Sequence, residues 1–258
     1  MNNYYPKGDD NYYPLKALYC WISKDLETVW LDAPKNGSTS VRQFLWKTSQ
    51  YSLGKWCDNN TKPRVYENKT GIDAYKKNIS DDITNIQPSY QVPANQFNNL
   101  QKKYYTFMVS RDPYARAVSS WKMMGASPGY FGWSTFAQEQ YYLITGKRQK
   151  NDISFLEYCK NLEIYMTFEK HIQKQTDFMF YRPDNIYKLE NLSTQQQALI
   201  NRIKIPKNTT ELHMIQHKHQ RSNKSNSYAE YYTPESRKII ENIYGDDIEQ
   251  FGYKYNEH

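Results

Sequence analysis

The chain has 258 residues, 38% of them hydrophobic, with 34 Lys and Arg against 27 Asp and Glu, a formal charge of +7 and a pI near 9.0. That length suits one α/β domain with a core of its own. The absence of any 18-residue apolar run argues against a membrane-spanning helix, and no block of Lys and Arg is long enough for a nucleic-acid-binding arm; the positive charge fits a solvated basic surface or an anionic ligand or partner. Cys20, Cys57 and Cys159 lie far apart with no Cys-x-x-Cys pair, which argues against structural zinc. Free thiols in a reducing compartment are expected; one disulfide plus one thiol is the other arrangement.

Residues 1–14 are polar and turn-rich and read as an arm; residues 15–258 read as a single domain. The start lacks the basic and apolar regions of a signal peptide. A short strand is expected over 19–23 and a buried one over 28–33, Thr28-Val29-Trp30-Leu31-Asp32-Ala33. Pro34-Lys35-Asn36-Gly37 breaks it, and Ser38, Thr39 or Ser40 can cap a helix over about 39–51 through Val41, Phe44 and Leu45. A strand, a small-residue loop and a helix N-terminus together bind phosphate: backbone N–H groups point outward, the helix dipole favours an anion, and Gly37 permits close approach. Lys35 adds a full charge, Ser38 and Thr39 add hydroxyls. The spacing is neither a Walker A loop nor G-x-G-x-x-G, since Lys precedes a single Gly.

After an irregular 52–85, with a helical piece near 71–79, and a short helix at 94–102, Tyr105-Thr106-Phe107-Met108-Val109-Ser110 is a second buried strand. It runs into Arg111-Asp112-Pro113-Tyr114-Ala115-Arg116-Ala117-Val118-Ser119, where Asp112 suits an N-cap and Pro113 the first helical turn. Arg111 at the strand end and Ser119 on the helix can grip one phosphate, because guanidinium matches phosphate oxygens in a bidentate way. The Gly- and Pro-rich 125–133 suits an exposed loop or a lid over a substrate. A helix over 154–161 capped by Ser154, a strand over 186–189, a helix from a Ser193-x-x-Gln196 capping box to Ile203, and a helix from Thr233-Pro234 to about Tyr244 complete the reading. Strands alternating with helices imply a central parallel sheet with flanking helices.

Two segments carry a family resemblance. Pro34-Lys35-Asn36-Gly37-Ser38-Thr39 resembles the 5′-phosphosulfate loop of sulfotransferases that use 3′-phosphoadenosine 5′-phosphosulfate (PAPS), and Arg111-Asp112-Pro113-x-x-Arg116-x-x-Ser119 resembles their 3′-phosphate motif. More of the chain, about 28–255, is similar to the Golgi-type carbohydrate sulfotransferases (sulfotransferase family 2) and their bacterial relatives. His171-Ile172-Gln173-Lys174-Gln175 looks like that group's His-aromatic-x-Pro-Gln segment, with Ile172 and Lys174 replacing the aromatic and the Pro; 186–192 looks like its late strand, and 232–253 like its closing helix and tail. The resemblance implies a P-loop-type sulfotransferase fold and sulfuryl transfer from PAPS to a hydroxyl, on a carbohydrate, without a metal. Pro34, Lys35, Asn36, Gly37, Ser38 and Thr39 would hold the 5′ side, Arg111 and Ser119 the 3′-phosphate. Golgi members carry an N-terminal anchor; without one here, the cytoplasm is the expected compartment, or the Golgi lumen if the chain is part of a longer protein.

Sulfuryl transfer needs a base for the acceptor hydroxyl, stabilisation of charge on the departing phosphate, and exclusion of water. Lys35 suits the charge role and His171 the base, with Glu67, Asp81 or Asp82 as other bases. His217, Lys218, His219, Arg221 and Lys224 form a basic cluster that can face the 3′-phosphate, an acidic acceptor or solvent. Arg116 can contact a phosphate or form a structural ion pair. Trp46, Trp121 and Trp133 can stack on adenine or sugar or pack in the core. Two other functions fit: a kinase-type enzyme using the same loop for ATP, and a non-catalytic glycan- or polyanion-binding protein.

Overall fold

A computed structural model describes residues 20–23, 26–48, 86–88, 103–124, 135–147, 153–179, 182–205, 215 and 228–256. The arm, the helices expected near 71–79 and at 94–102, the 125–133 loop, the 217–224 cluster, Glu67, Asp81, Asp82 and Trp133 lie outside these residues.

The sheet is built on three short apolar strands. β2 (Thr28–Leu31) pairs in parallel with β4 (Tyr105–Ser110), Thr28 opposite Tyr105 and Leu31 opposite Met108; β4 pairs in parallel with β5 (Asn185–Lys188), Phe107 opposite Asn185 and Ser110 opposite Lys188. The expected parallel sheet is therefore its core. Two antiparallel strands extend it, β1 (Cys20–Ser23) beside β2 and β3 (Ile86–Pro88) beyond β1, giving the order β3-β1-β2-β4-β5.

Alternation along each strand divides the core. Trp30, Phe107, Val109 and Tyr187 face one way, against Val41, Phe44 and Leu45 of α1 (Ser38–Thr48) and Leu192, Leu199 and Ile200 of α6 (Leu192–Ile200). Val29, Leu31, Met108 and Ile186 face the other way, against Phe178, Phe251 and Tyr253. A helical cluster sits beside the sheet: α2 (Pro113–Met124), α3 (Thr135–Thr145), α4 (Phe155–Lys160), α5 (Leu162–Met166) and α7 (Pro234–Ile243) bury Ala117, Val118, Tyr158, Leu162, Tyr165 and Ile240 together. The chain closes with α8 (Gly245–Phe251), ended by Gly252 in the left-handed region. No described helix is long and apolar enough to cross a membrane.

The helix ends follow local chemistry. Ser154 accepts from the Glu157 N–H, as its sequence position predicts. Thr233 caps α7 through a reciprocal box with Ser236, Pro234 taking the first turn. The box expected at Ser193 and Gln196 does not form. A 3-10 turn, Leu189–Asn191, feeds straight into α6, so the helix begins at Leu192 and Ser193 already lies inside it. Gln196 instead donates to Ser193 O and accepts from the Ile215 N–H, and α6 ends at Ile200, short of Ile203. Burial of Leu192 in the core draws the start of the helix forward.

Candidate functional site

The parallel strands β2, β4 and β5 all end on one edge of the sheet, and the segments that follow them meet there. In an open α/β sheet this carboxyl edge is where ligands bind. β2 leads through 32–37 into α1, β4 through Arg111 and Asp112 into α2, and β5 into Leu189 and Glu190.

In the first junction Lys35 and Gly37 both have positive φ, 71° and 80°. Gly37 O accepts from Ser40 N at 2.9 Å and Val41 N at 3.1 Å, so the N–H groups of Ser38 and Thr39 precede the first intrahelical bond and, by helix geometry, have no intrahelical acceptor. Donors of this kind, with the dipole of an 11-residue helix behind them, attract an anion. A Cβ on Gly37 would lie 2.7 Å from Leu189 Cδ1. The Ser38 hydroxyl does not cap α1: it donates to buried Asp32 Oδ1 at 2.5 Å, and Arg42 Nε approaches Asp32 Oδ2 at 3.9 Å. Asn36 is buried and its side chain turns inward, donating to Val109 O at 2.8 Å and Gln175 Oε1 at 2.6 Å, so its contribution toward an anion is its backbone N–H.

In the second junction Asp112 caps α2, its Oδ1 accepting from Tyr114 N at 2.8 Å as its position predicts. Arg111 bridges the junctions: Nη1 donates to Lys35 O at 3.0 Å. Burial pushes its guanidinium down from its ordinary value, and Glu190 opposes that shift. Glu190 also accepts from Asp112 N and from the Tyr253 hydroxyl. Burial likewise raises the Asp112 carboxyl above its usual range against hydrogen bonds that lower it. Arg116 is buried and donates from Nε to Pro34 O at 3.0 Å; its Nη2 has no hydrogen-bond partner and it forms no ion pair among the described residues. Of the two expected roles, the ion pair is not formed among the described residues, and the guanidinium instead tethers the first loop through Pro34 O. Ser119, partly buried, lies on α2 one turn beyond Ala115.

His171 enters from the segment after α5. Its carbonyl accepts from Ser120 Oγ on α2, while its ring Nδ1 lies 2.5 Å from Glu169 Oε1. Burial alone would raise the Glu169 carboxyl, but the His171 imidazole and backbone N–H outweigh it and hold it below the usual range. Ile172, standing where the resembled group has an aromatic residue, is fully buried in the helical cluster, and the Tyr244 hydroxyl donates to its carbonyl. Lys174 pairs with Asp246 at 2.5 Å.

Lys35, Arg111 and the α1 start are thus neighbours, joined through Arg111 and Lys35 O, and Ser120, whose hydroxyl meets the carbonyls of Arg116 and His171, places the backbone of His171 beside α2. Trp121 packs in the core, donating to Ile153 O and contacting Phe155 and Tyr231. Cys159 is a free buried thiol, pushed up to about 12 by burial and unsuited to nucleophilic work. Sequence reasoning gave no role to Asp32, Glu169, Gln175, Glu190 or Asp247. Their partners lie tens of residues away, except for Glu169 and Asp32, whose partners are close in sequence and were legible only as charges near a motif. Neither a curated protein nor a solved structure matches the chain. A family model described as the sulfotransferase family matches residues 19–254, a span that takes in both junctions and all five strands. The chain belongs to the sulfotransferase family, whose members move a sulfuryl group from a donor to an acceptor.

Proposed function

We propose that the donor is PAPS and the acceptor a carbohydrate hydroxyl, with adenosine 3′,5′-bisphosphate as the released product. The observation that carries this reading is the direct bond between the junctions, Arg111 Nη1 to Lys35 O at 3.0 Å, which joins the two segments proposed to hold the phosphates on the carboxyl edge. The donor set suits a bisphosphate: two cationic side chains, the N-terminus of α1, and a glycine whose missing Cβ keeps the loop close. PAPS supplies the sulfuryl group and the phosphate that leaves. Residues 34–39 hold its 5′ end, Lys35 places an ammonium where negative charge develops, and Arg111 and Ser119 hold the 3′-phosphate. Glu169 on Nδ1 fixes the His171 ring so that Nε2 is its basic position, suited to accept the acceptor's proton.

The test is thermal unfolding with adenosine 3′,5′-bisphosphate, ADP or AMP. At 100 times its Kd, a ligand adds about 2.7 kcal/mol of stability, raising Tm by about 5 °C or more. A rise with the bisphosphate that ADP and AMP do not match is expected; equal rises indicate a general nucleotide site of kinase type, and no rise indicates a polyanion-binding protein. Lys35→Ala and Arg111→Ala are each expected to abolish sulfuryl transfer from PAPS while leaving the far-UV circular dichroism spectrum unchanged. Full activity in both variants would show the assignment to be wrong.

A further inference from the structure

Gln175 is fully buried, and both ends of its side-chain amide are paired. Oε1 accepts from Asn36 Nδ2 at 2.6 Å and from Arg111 N at 2.8 Å, and Nε2 donates to Arg111 O at 2.9 Å. The amide therefore meets both the N–H and the C=O of Arg111, as a neighbouring peptide group would in a sheet. This pairing fixes its orientation, because the Arg111 N–H can only donate and the carbonyl only accept. Asn36 must then present Nδ2 to Gln175. That NH2 group also donates to Val109 O, which leaves Asn36 Oδ1 buried with no partner. An orphaned acceptor is a cost to stability, so the arrangement is not optimised for stability alone. Gln175 is anchored in turn from α8: buried Asp247 accepts from Gln175 N at 2.8 Å and from Thr176 N and Oγ1.

We propose that Gln175 is a positioning residue which, through Asn36, sets the separation of the two junctions and so the fit of a single ligand that carries a phosphate on each. The inference rests on the bisphosphate reading above. Gln175 grips the backbone of Arg111 and the side chain of Asn36, the residues between which such a ligand must stretch. A ligand with two phosphates on one rigid frame gains from the second only when both grips stand at the matching distance. Loosening the clamp weakens that joint gain while leaving each grip able to hold one phosphate.

Isothermal titration calorimetry of the intact protein with adenosine 3′,5′-bisphosphate, 5′-AMP and 3′-AMP tests this. The quantity read is the factor by which the bisphosphate outbinds each monophosphate. In Gln175→Leu that factor is expected to fall by about tenfold, with both monophosphate affinities kept within about twofold. Gln175→Glu, which keeps the acceptor but loses the donor to Arg111 O, carries the same test if Gln175→Leu does not fold. Leu162→Ala, a truncation in the helical cluster that makes no hydrogen bond to either junction, should lower Tm without moving the factor. A fall of less than about twofold in the Gln175 variants, or an equal fall in Leu162→Ala, overturns the proposal. An intact protein that shows no preference for the bisphosphate overturns the reading of the site itself, an outcome seen before any variant is made.

Discussion

A methyl group on Gly37 would meet Leu189 Cδ1 at 2.7 Å, and the backbone there sits at a φ of 80°. The positive φ favours glycine, and a Cβ there would push the end of the Leu189 side chain aside. Gly37→Ala is expected to cost about 1–2 kcal/mol and lower Tm by about 2–8 °C, checked by thermal unfolding. Glu169 makes a prediction of the opposite kind, in pH. Its carboxyl is held below the usual range in the folded chain, so its contribution is complete above the ordinary carboxylate pKa and is lost as pH falls through that value to the lower folded one. The stability difference between the native chain and Glu169→Gln should shrink as pH falls from about 6 to below about 4.5. Urea titrations across that range check it; a difference that grows on acidification would mean that His171 does not depress this carboxyl.

Among the elements, α8 contrasts two adjacent aspartates. Asp246 is 68% exposed on its side chain and pairs with Lys174, a surface bridge worth under about 1 kcal/mol. Asp247 is completely buried and takes three donors from Gln175 and Thr176. Its removal strands those donors, so Asp247→Ala is expected to cost about 3 kcal/mol or more while Asp246→Ala costs less than about 1. Urea unfolding midpoints of the two variants decide it. Neither α8 nor its role was legible residue by residue: the closing helix was expected to end near Tyr244, and in the structure a second helix begins at Gly245 because its first-turn carboxylates have the 174–176 loop to hold. The helices with local caps, Ser154 and Thr233, were legible because the cap and its partner are three residues apart.

For the whole molecule, the last residues are part of the sheet's packing. Phe251 and Tyr253 cover the face formed by Val29, Leu31 and Met108, and the Tyr253 hydroxyl reaches Glu190 and Ser110. Removing residues after Ile243 takes away that cover along with Asp247. Such a chain is expected to lose cooperative thermal unfolding and to bind a hydrophobic dye; a sharp transition within a few degrees of the intact protein would show the tail to be dispensable.

By itself the sequence determined the three parallel strands, the helices that start at local caps, and the two strand-to-helix junctions. Each of these depends on contacts within a few residues: apolar runs that must be buried, a glycine that must turn, an aspartate that caps its own helix. Only the tertiary structure decided the antiparallel pairing of β1, the strand β3, the start of α6, the inward turn of Asn36 and the clamp through Gln175. Those depend on which distant segment arrives opposite. The amide of Gln175 meets Asn36 across 139 residues of chain, and no periodicity or spacing in the sequence records that meeting. Its physical basis is burial: a side-chain amide shut away from water must find partners, and the fold, not the neighbouring sequence, supplies them.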